Sequence, residues 1–221
     1  MSGNGRRILG VTLATAIVCV AIGLYVGLYL TNVPGSAAAT SAGPVTNLYL
    51  GTVAASELTD PHPSWVSYYV VSPTSTNWKH ETTFVLPAHS LVHVTVYQYD
   101  GQSGLRNPFI SQATGTVGGT FQLNGKTRRT IDPDAASHIF AIPQIGLSVP
   151  LEGVADDAPN QCANAPCPLS TAHDTISFTF RTPGKGLYRW QCFVPCAAGF
   201  IQGFGGPMQT VGYMDGFIKV V

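Results

Sequence analysis

Charge is scarce in this chain. Lys and Arg number 11 and Asp and Glu number 11 among 221 residues. That is about 10% charged, where an average soluble domain carries about 25%. An acidic or basic disordered tail is excluded, because 22 Phe, Tyr and Trp residues are available to build a core. A nucleic-acid binder working through a basic patch is excluded too. The Ala/Glu/Lys/Leu/Arg richness of coiled coils and helical bundles is missing, and no sustained helical periodicity follows Leu30. Familiar catalytic signatures are also absent. There is no GxSxG, HExxH or Walker glycine loop. Gly203-Phe204-Gly205-Gly206 precedes no expected helix, and Asp156-Asp157 reads as a solvated loop pair.

What is present begins with an apolar run. Ile8 to Leu30 is 23 residues without a charge, long enough as a helix to cross a hydrocarbon layer of about 30 Å. Arg6 and Arg7 precede it, and the next basic residue is Lys79. This asymmetry predicts a single-pass membrane anchor at 1–30, with the N-terminus cytoplasmic and the remainder extracytoplasmic. A cleaved signal peptide ending near Ser36-Ala37-Ala38-Ala39 is the competing expectation, although secretory apolar cores usually run about 7–15 residues. Residues 31–46 are small and polar with two prolines, and read as a linker. Residues 47–221 then form the outer domain. Without Arg6 and Arg7, nine basic side chains face eleven acidic ones. So weak a net charge favours lasting contact with membrane neighbours over steering of a soluble partner.

The outer domain reads as β. Thr83–Val96 holds two strand-like runs parted by Pro87-Ala88, the second alternating around Val92, Val94 and Val96. Asp174–Arg181 places Ile176, Phe178 and Phe180 on one face. Leu187–Gln191, Gly216–Val221, Val45–Val53, Val66–Val71, Gly118–Leu123 and His138–Ile142 are further candidates. Short strands with Gly/Pro-rich turns predict an antiparallel sandwich.

Four of the five cysteines form two close pairs, Cys162/Cys167 and Cys192/Cys196; Cys19 sits in the apolar run. Outside the cytoplasm a disulfide is the expectation for Cys162–Cys167. For Cys192 and Cys196 a disulfide and a metal site stand as alternatives.

Two segments belong together: Asp134–Gly146, with His138, Phe140 and Pro143, and Gly186–Cys196, ending in Cys-x-x-x-Cys. Over about residues 80–221 they resemble the cupredoxin domain of cytochrome c oxidase subunit II, which carries the binuclear copper A centre. The resemblance implies an all-β, cupredoxin-like Greek-key sandwich; that family usually has two anchoring helices, and the apolar run here predicts one transmembrane helix before it. It implies His138 as an imidazole ligand and Cys192 and Cys196 as thiolates, donor types that suit copper. The family continues with a His and a Met, where Phe200 and Gly203 stand here. Met208, beyond a Gly-rich stretch, is therefore the expected thioether donor, with Met214 as its rival. No His follows Cys192, so a second imidazole has to come from upstream, with His173 the first choice. His89 and His93 read as a polar face, and His62 and His80 as loop residues.

The implied function is copper-dependent electron transfer as a subunit of a membrane-bound redox complex, with no nucleic-acid partner. The alternatives are a metal-free docking subunit with a Cys192–Cys196 disulfide, and a copper chaperone.

Overall fold

In the computed structural model the described residues are 3–27, 35–38, 40–41, 45–56, 65–195 and 206–221. The chain divides into two units, 1–33 and 34–221.

The first unit holds helix α1 (Gly3–Tyr25). It begins ahead of the uncharged run and takes in Arg6 and Arg7. From Leu9 onward its described side chains are exposed on every face. Among the described residues no helix is long and apolar enough to cross a membrane. Residues 28–30 of the expected span lie outside the described ones.

The second unit is mostly β-sheet. Its strands in chain order are β1 (Gly35–Ala38), β2 (Thr40–Ser41), β3 (Val45–Val53), β4 (Ala55–Ser56), β5 (Ser67–Ser72), β6 (Ser75–Lys79), β7 (Glu81–Leu86) and β8 (Leu91–Gln98). There follow β9 (Phe121–Leu123), β10 (Lys126–Arg128), β11 (Ala136–Ile142), β12 (Leu147–Glu152), β13 (Asn164–Ala165), β14 (Asp174–Arg181) and β15 (Gly186–Gln191). A single helical turn, α2 (Gly206–Gln209), leads into β16 (Asp215–Val220).

One sheet runs β1-β7-β16-β15-β11-β12; the other runs β10-β9-β14-β8-β3-β5-β6, with β2 on β3. Strands β13 and β4 form a small separate pair. The purely antiparallel expectation needs correction, because β1 and β16 both pair in parallel with β7, and β3 pairs in parallel with β8. Parallel neighbours need crossover connections, which single-sequence periodicity does not reveal.

The core lies between the two sheets. Val92, Val94 and Val96 of β8 face Ile176, Phe178 and Phe180 of β14 across register pairs, and all six are buried. Full burial of each such side chain contributes about 1.5–3 kcal/mol. At the centre Trp190 stacks between Phe84 and Phe140, both centroids 5.6 Å away. Its Nε1–H donates to the Thr82 carbonyl at 2.8 Å. The outer face of the larger sheet is also covered, by Val53, Tyr69, Val71, Trp78, Tyr99 and the Cys162–Cys167 disulfide.

Two strands carry too little signal to be read ahead. β6 is polar except for Trp78. β12 contains Pro150, tolerated because β12 closes the edge of its sheet. The expected strand Gly118–Leu123 starts only at Phe121. Gly118 has φ 76° and belongs to a tight 3₁₀ turn, Val117–Gly119.

Candidate metal centre

The site is built where β11 and β15 meet. Ala141 pairs with Gln191, so the residue after β15, Cys192, comes beside the first half of β11. Cys192 is fully buried and His138 is 3% exposed. Cys192 Sγ and His138 Nδ1 stand 3.9 Å apart. Metal–sulfur and metal–nitrogen bonds of about 2.3 and 2.0–2.1 Å opening at a wide angle place their donors about 3.6–3.9 Å apart. The pair therefore has the spacing of two ligands on one ion.

The other side of each ligand is occupied. His138 Nε2 lies 2.9 Å from Asp100 Oδ2. An ionised carboxylate only accepts, so Nε2 carries a proton, and Nδ1 is the nitrogen turned toward the sulfur. Asp100 is held in turn by the Gly101 N–H at 2.8 Å. The Ile139 N–H donates to Cys192 Sγ at 3.5 Å. The Cys192 N–H donates to the Met214 carbonyl at 2.9 Å, and the Met214 N–H to the Pro207 carbonyl at 3.0 Å. These bonds fix the sulfur from both sides of the chain.

Burial opposes charge on His138, but the bonds to Asp100 and Cys192 more than offset it and hold the imidazole up at about 9. Burial pushes the Asp100 carboxyl up, and the His138 partner wins, so the net shift is downward. His138 and Asp100 line a cavity of about 380 Å³, together with Gln102, Ser137 and Pro195.

The donor set suits a soft or borderline ion such as copper: a buried sulfur, an imidazole whose Nδ1 faces it, and a carboxylate behind the ring. Of the expected ligands, His138 and Cys192 are brought together. Cys196 lies outside the described residues, and with it any pairing to Cys192. Met208, in α2, is half-buried and packs against the core. Its carbonyl accepts from Gln191 Nε2, tying α2 to the strand before Cys192. Met214 is fully buried in the same core. Among the described residues there is no cluster of three His, Cys, Asp or Glu side chains around one point. This accords with Asp100 and Cys192 facing opposite nitrogens of one ring.

His173 belongs elsewhere. It packs on Tyr97 and Tyr99 at 5.8 and 5.1 Å, and its Nδ1 bonds the Thr171 carbonyl at 2.8 Å. His93 faces outward across Thr179 at 3.0 Å, and burial lowers its pKa. His89 is not on the strand with it but in the preceding turn, at φ 52°. His80 Nε2 bonds Ser67 Oγ at 2.8 Å, and His62 lies outside the described residues. In the sequence Asp100, a lone Asp before Gly101, looks like an ordinary turn residue. The fold brings this residue, two past the end of β8, to His138 of β11.

No family model and no curated protein sequence matches the chain. Solved structures do match. A structure of the copper protein rusticyanin is 14% identical, covering 92% of this chain and 94% of its own, with a TM-score of 0.36. Another, of rusticyanin from Thiobacillus ferrooxidans, is 15% identical over 91% and 92%, with a TM-score of 0.33. A chain of a heme-copper terminal oxidase dimer is 12% identical over 99% of each, with a TM-score of 0.31. No residue role is carried over from any of them.

Proposed function

We propose that this chain is a cupredoxin-like copper protein that passes single electrons, tethered to a membrane by the apolar run Ile8–Leu30 and working as a subunit of a membrane-bound redox complex. The observation that carries the reading is the 3.9 Å approach of Cys192 Sγ to His138 Nδ1, with Asp100 on the opposite ring nitrogen. His138 and Cys192 would hold the ion, with Cys196 and Met208 as the remaining donors from the segment that follows. Copper held by thiolate and imidazole gains and loses one electron, which is the chemistry the group would supply. The chain's own contribution is rigidity. Asp100 orients the imidazole, Ile139 and Met214 fix the cysteine from its two sides, and the packed sandwich holds the ligands still between oxidation states. Burial of Cys192 and His138 keeps water from the bond between them.

The test is copper loading of the full chain in detergent. Bound copper surviving gel filtration, with a visible absorption lost in both Cys192→Ser and His138→Ala, is the expected result. A colourless, copper-free chain overturns the reading. Thiol-dependent uptake without a reversible redox signal replaces electron transfer with copper carriage.

A further inference from the structure

A continuous row of aromatic rings runs from the segment before β5 across the outer face of the larger sheet. It starts at Trp65, whose ring centre is 4.9 Å from that of Tyr213, and passes through His80 at 5.6 Å to Tyr69 at 5.2 Å. From Tyr69 it continues to Trp78 at 5.4 Å and on to Tyr99 at 5.6 Å. It ends through His173 at Tyr97, in steps of 5.1 and 5.8 Å. Every step is the spacing of rings in contact.

The choice of rings is informative. The chain has ten Phe against nine Tyr, and Phe84 and Phe140 do the stacking around Trp190 in the core. Among the described residues, no Phe stands in the row. Packing alone does not ask for this, because a buried phenol needs a partner that a phenyl ring does not. Tyr99 shows the cost: its hydroxyl is buried and, among the described residues, has no hydrogen-bond partner. What Tyr and Trp share, and Phe lacks, is ready one-electron oxidation.

The two ends differ from the middle. Trp65 and Tyr97 are half-buried, whereas Tyr69, Trp78, Tyr99 and Tyr213 are buried. A phenol that loses an electron must also shed its proton. Water reaches Tyr97, but the hydroxyls of Tyr69, Tyr99 and Tyr213 are sealed from it. The Trp65 end lies toward the candidate metal centre. Val66, its neighbour, lines the cavity of His138 and Asp100, and Tyr213 adjoins Met214, whose carbonyl accepts the Cys192 N–H. We propose that the row is an electron relay that draws one-electron oxidation away from the Cys192 side of the domain and leaves it on Tyr97. A peroxide-derived oxygen radical, RO•, takes an electron and a proton from the Trp65 indole and leaves as ROH. An electron then passes from Tyr97 through the row to the Trp65 radical. Trp65 regains its proton from water, the Tyr97 phenol releases one to water, and Tyr97 is left as a phenoxyl radical. The direction is downhill, because a phenol whose proton can leave is oxidised more easily than an indole. The proposal does not depend on copper.

The test is pulse radiolysis of the copper-free full chain in detergent with azide radicals, which at neutral pH oxidise indoles in preference to phenols. Trp65 is the half-buried indole, since Trp78 and Trp190 are buried. The expected result is an indolyl absorption that decays as a phenoxyl absorption grows, at a rate independent of protein concentration. Tyr97→Phe, at a half-buried position, should abolish that growth. Trp78→Phe, which keeps an apolar ring but interrupts the oxidisable row, should slow it. Tyr188→Phe, away from the row, should leave it unchanged. Indolyl decay without phenoxyl growth, a growth rate proportional to protein concentration, or growth retained in Tyr97→Phe overturns the proposal. So does an unchanged rate in Trp78→Phe, or loss of the phenoxyl signal in Tyr188→Phe.

Discussion

Asp100 Oδ2 and His138 Nε2 meet at 2.9 Å, on the side of the imidazole turned away from Cys192. Asp100 lies two residues past the end of β8 in one sheet, and His138 belongs to β11 of the other. This hydrogen bond ties the two layers together beside Cys192, as does the Tyr68 hydroxyl, which donates to the Ile139 carbonyl at 3.2 Å. The Asp100 bond also sets which nitrogen faces Cys192. A ring whose Nε2–H is spoken for can turn only Nδ1 toward an ion.

Replacing Asp100 with Asn tests this directly. The amide keeps the shape but no longer demands a proton on Nε2. Copper affinity should fall about 10–100-fold, the usual effect of losing such an orienting partner. Competition with a chelator of known affinity measures it. Retention equal to the unmodified chain would mean that Asp100 does not orient His138.

Packing around Trp190 leaves no room at Gly216. A Cβ there would fall 2.0 Å from the Thr82 carbonyl and 2.7 Å from Trp190 Nε1, the two atoms that bond each other. Gly216→Ala should therefore both overpack and break a buried hydrogen bond, destabilising by about 3 kcal/mol. Trp190→Phe leaves the backbone in place and should cost less. Denaturant midpoints of the two variants give the ranking, and an unperturbed Gly216→Ala midpoint would refute this account of the core.

Much of this was legible beforehand. Val92/Val94/Val96 and Ile176/Phe178/Phe180 announce their strands because alternation is a local property, and β3 and β14 have the expected bounds. His138 and Cys192 were readable as a pair from their flanking residues. Three things were not. The parallel pairing of β16 on β7 depends on crossovers. The β12 strand hides behind Pro150, which is harmless only at a sheet edge. Asp100, and the burial of Asp215 beneath Arg189, are contacts between residues remote in sequence, and no spacing rule encodes them.

Asp215 is fully buried, and Arg189 Nε donates to both of its carboxylate oxygens, at 2.8 and 3.1 Å, with Nη2 adding a third bond. The arginine side chain is itself 45% exposed, so its own desolvation is modest. Arg189→Met should still strand the carboxylate, at about 2 kcal/mol after allowance for solvent screening. Adding Asp215→Leu to Arg189→Met should recover part of that loss, because the unpaired charge disappears. A double variant no more stable than Arg189→Met would show that the lost stability comes from packing and not from the buried carboxylate.

The N-terminal segment makes a separate prediction. Leu9, Leu13, Ile17 and Leu24 of α1 are 56–61% exposed. Apolar surface in water is unfavourable by about 25 cal/mol per Å², so the proposed tether would gain from burying these side chains in lipid. Ile8–Leu30 carries no charge, and under the proposed tether Arg6 and Arg7 would stand at its cytoplasmic end. The full chain should stay in the membrane pellet through an alkaline carbonate wash and come out only with detergent. Exchanging Val18 and Ile22 for Asp, which puts two charges in the apolar run, should release it. Recovery from the unmodified chain of a soluble mature protein beginning near Thr40 would establish the segment as a cleaved leader and remove the tether.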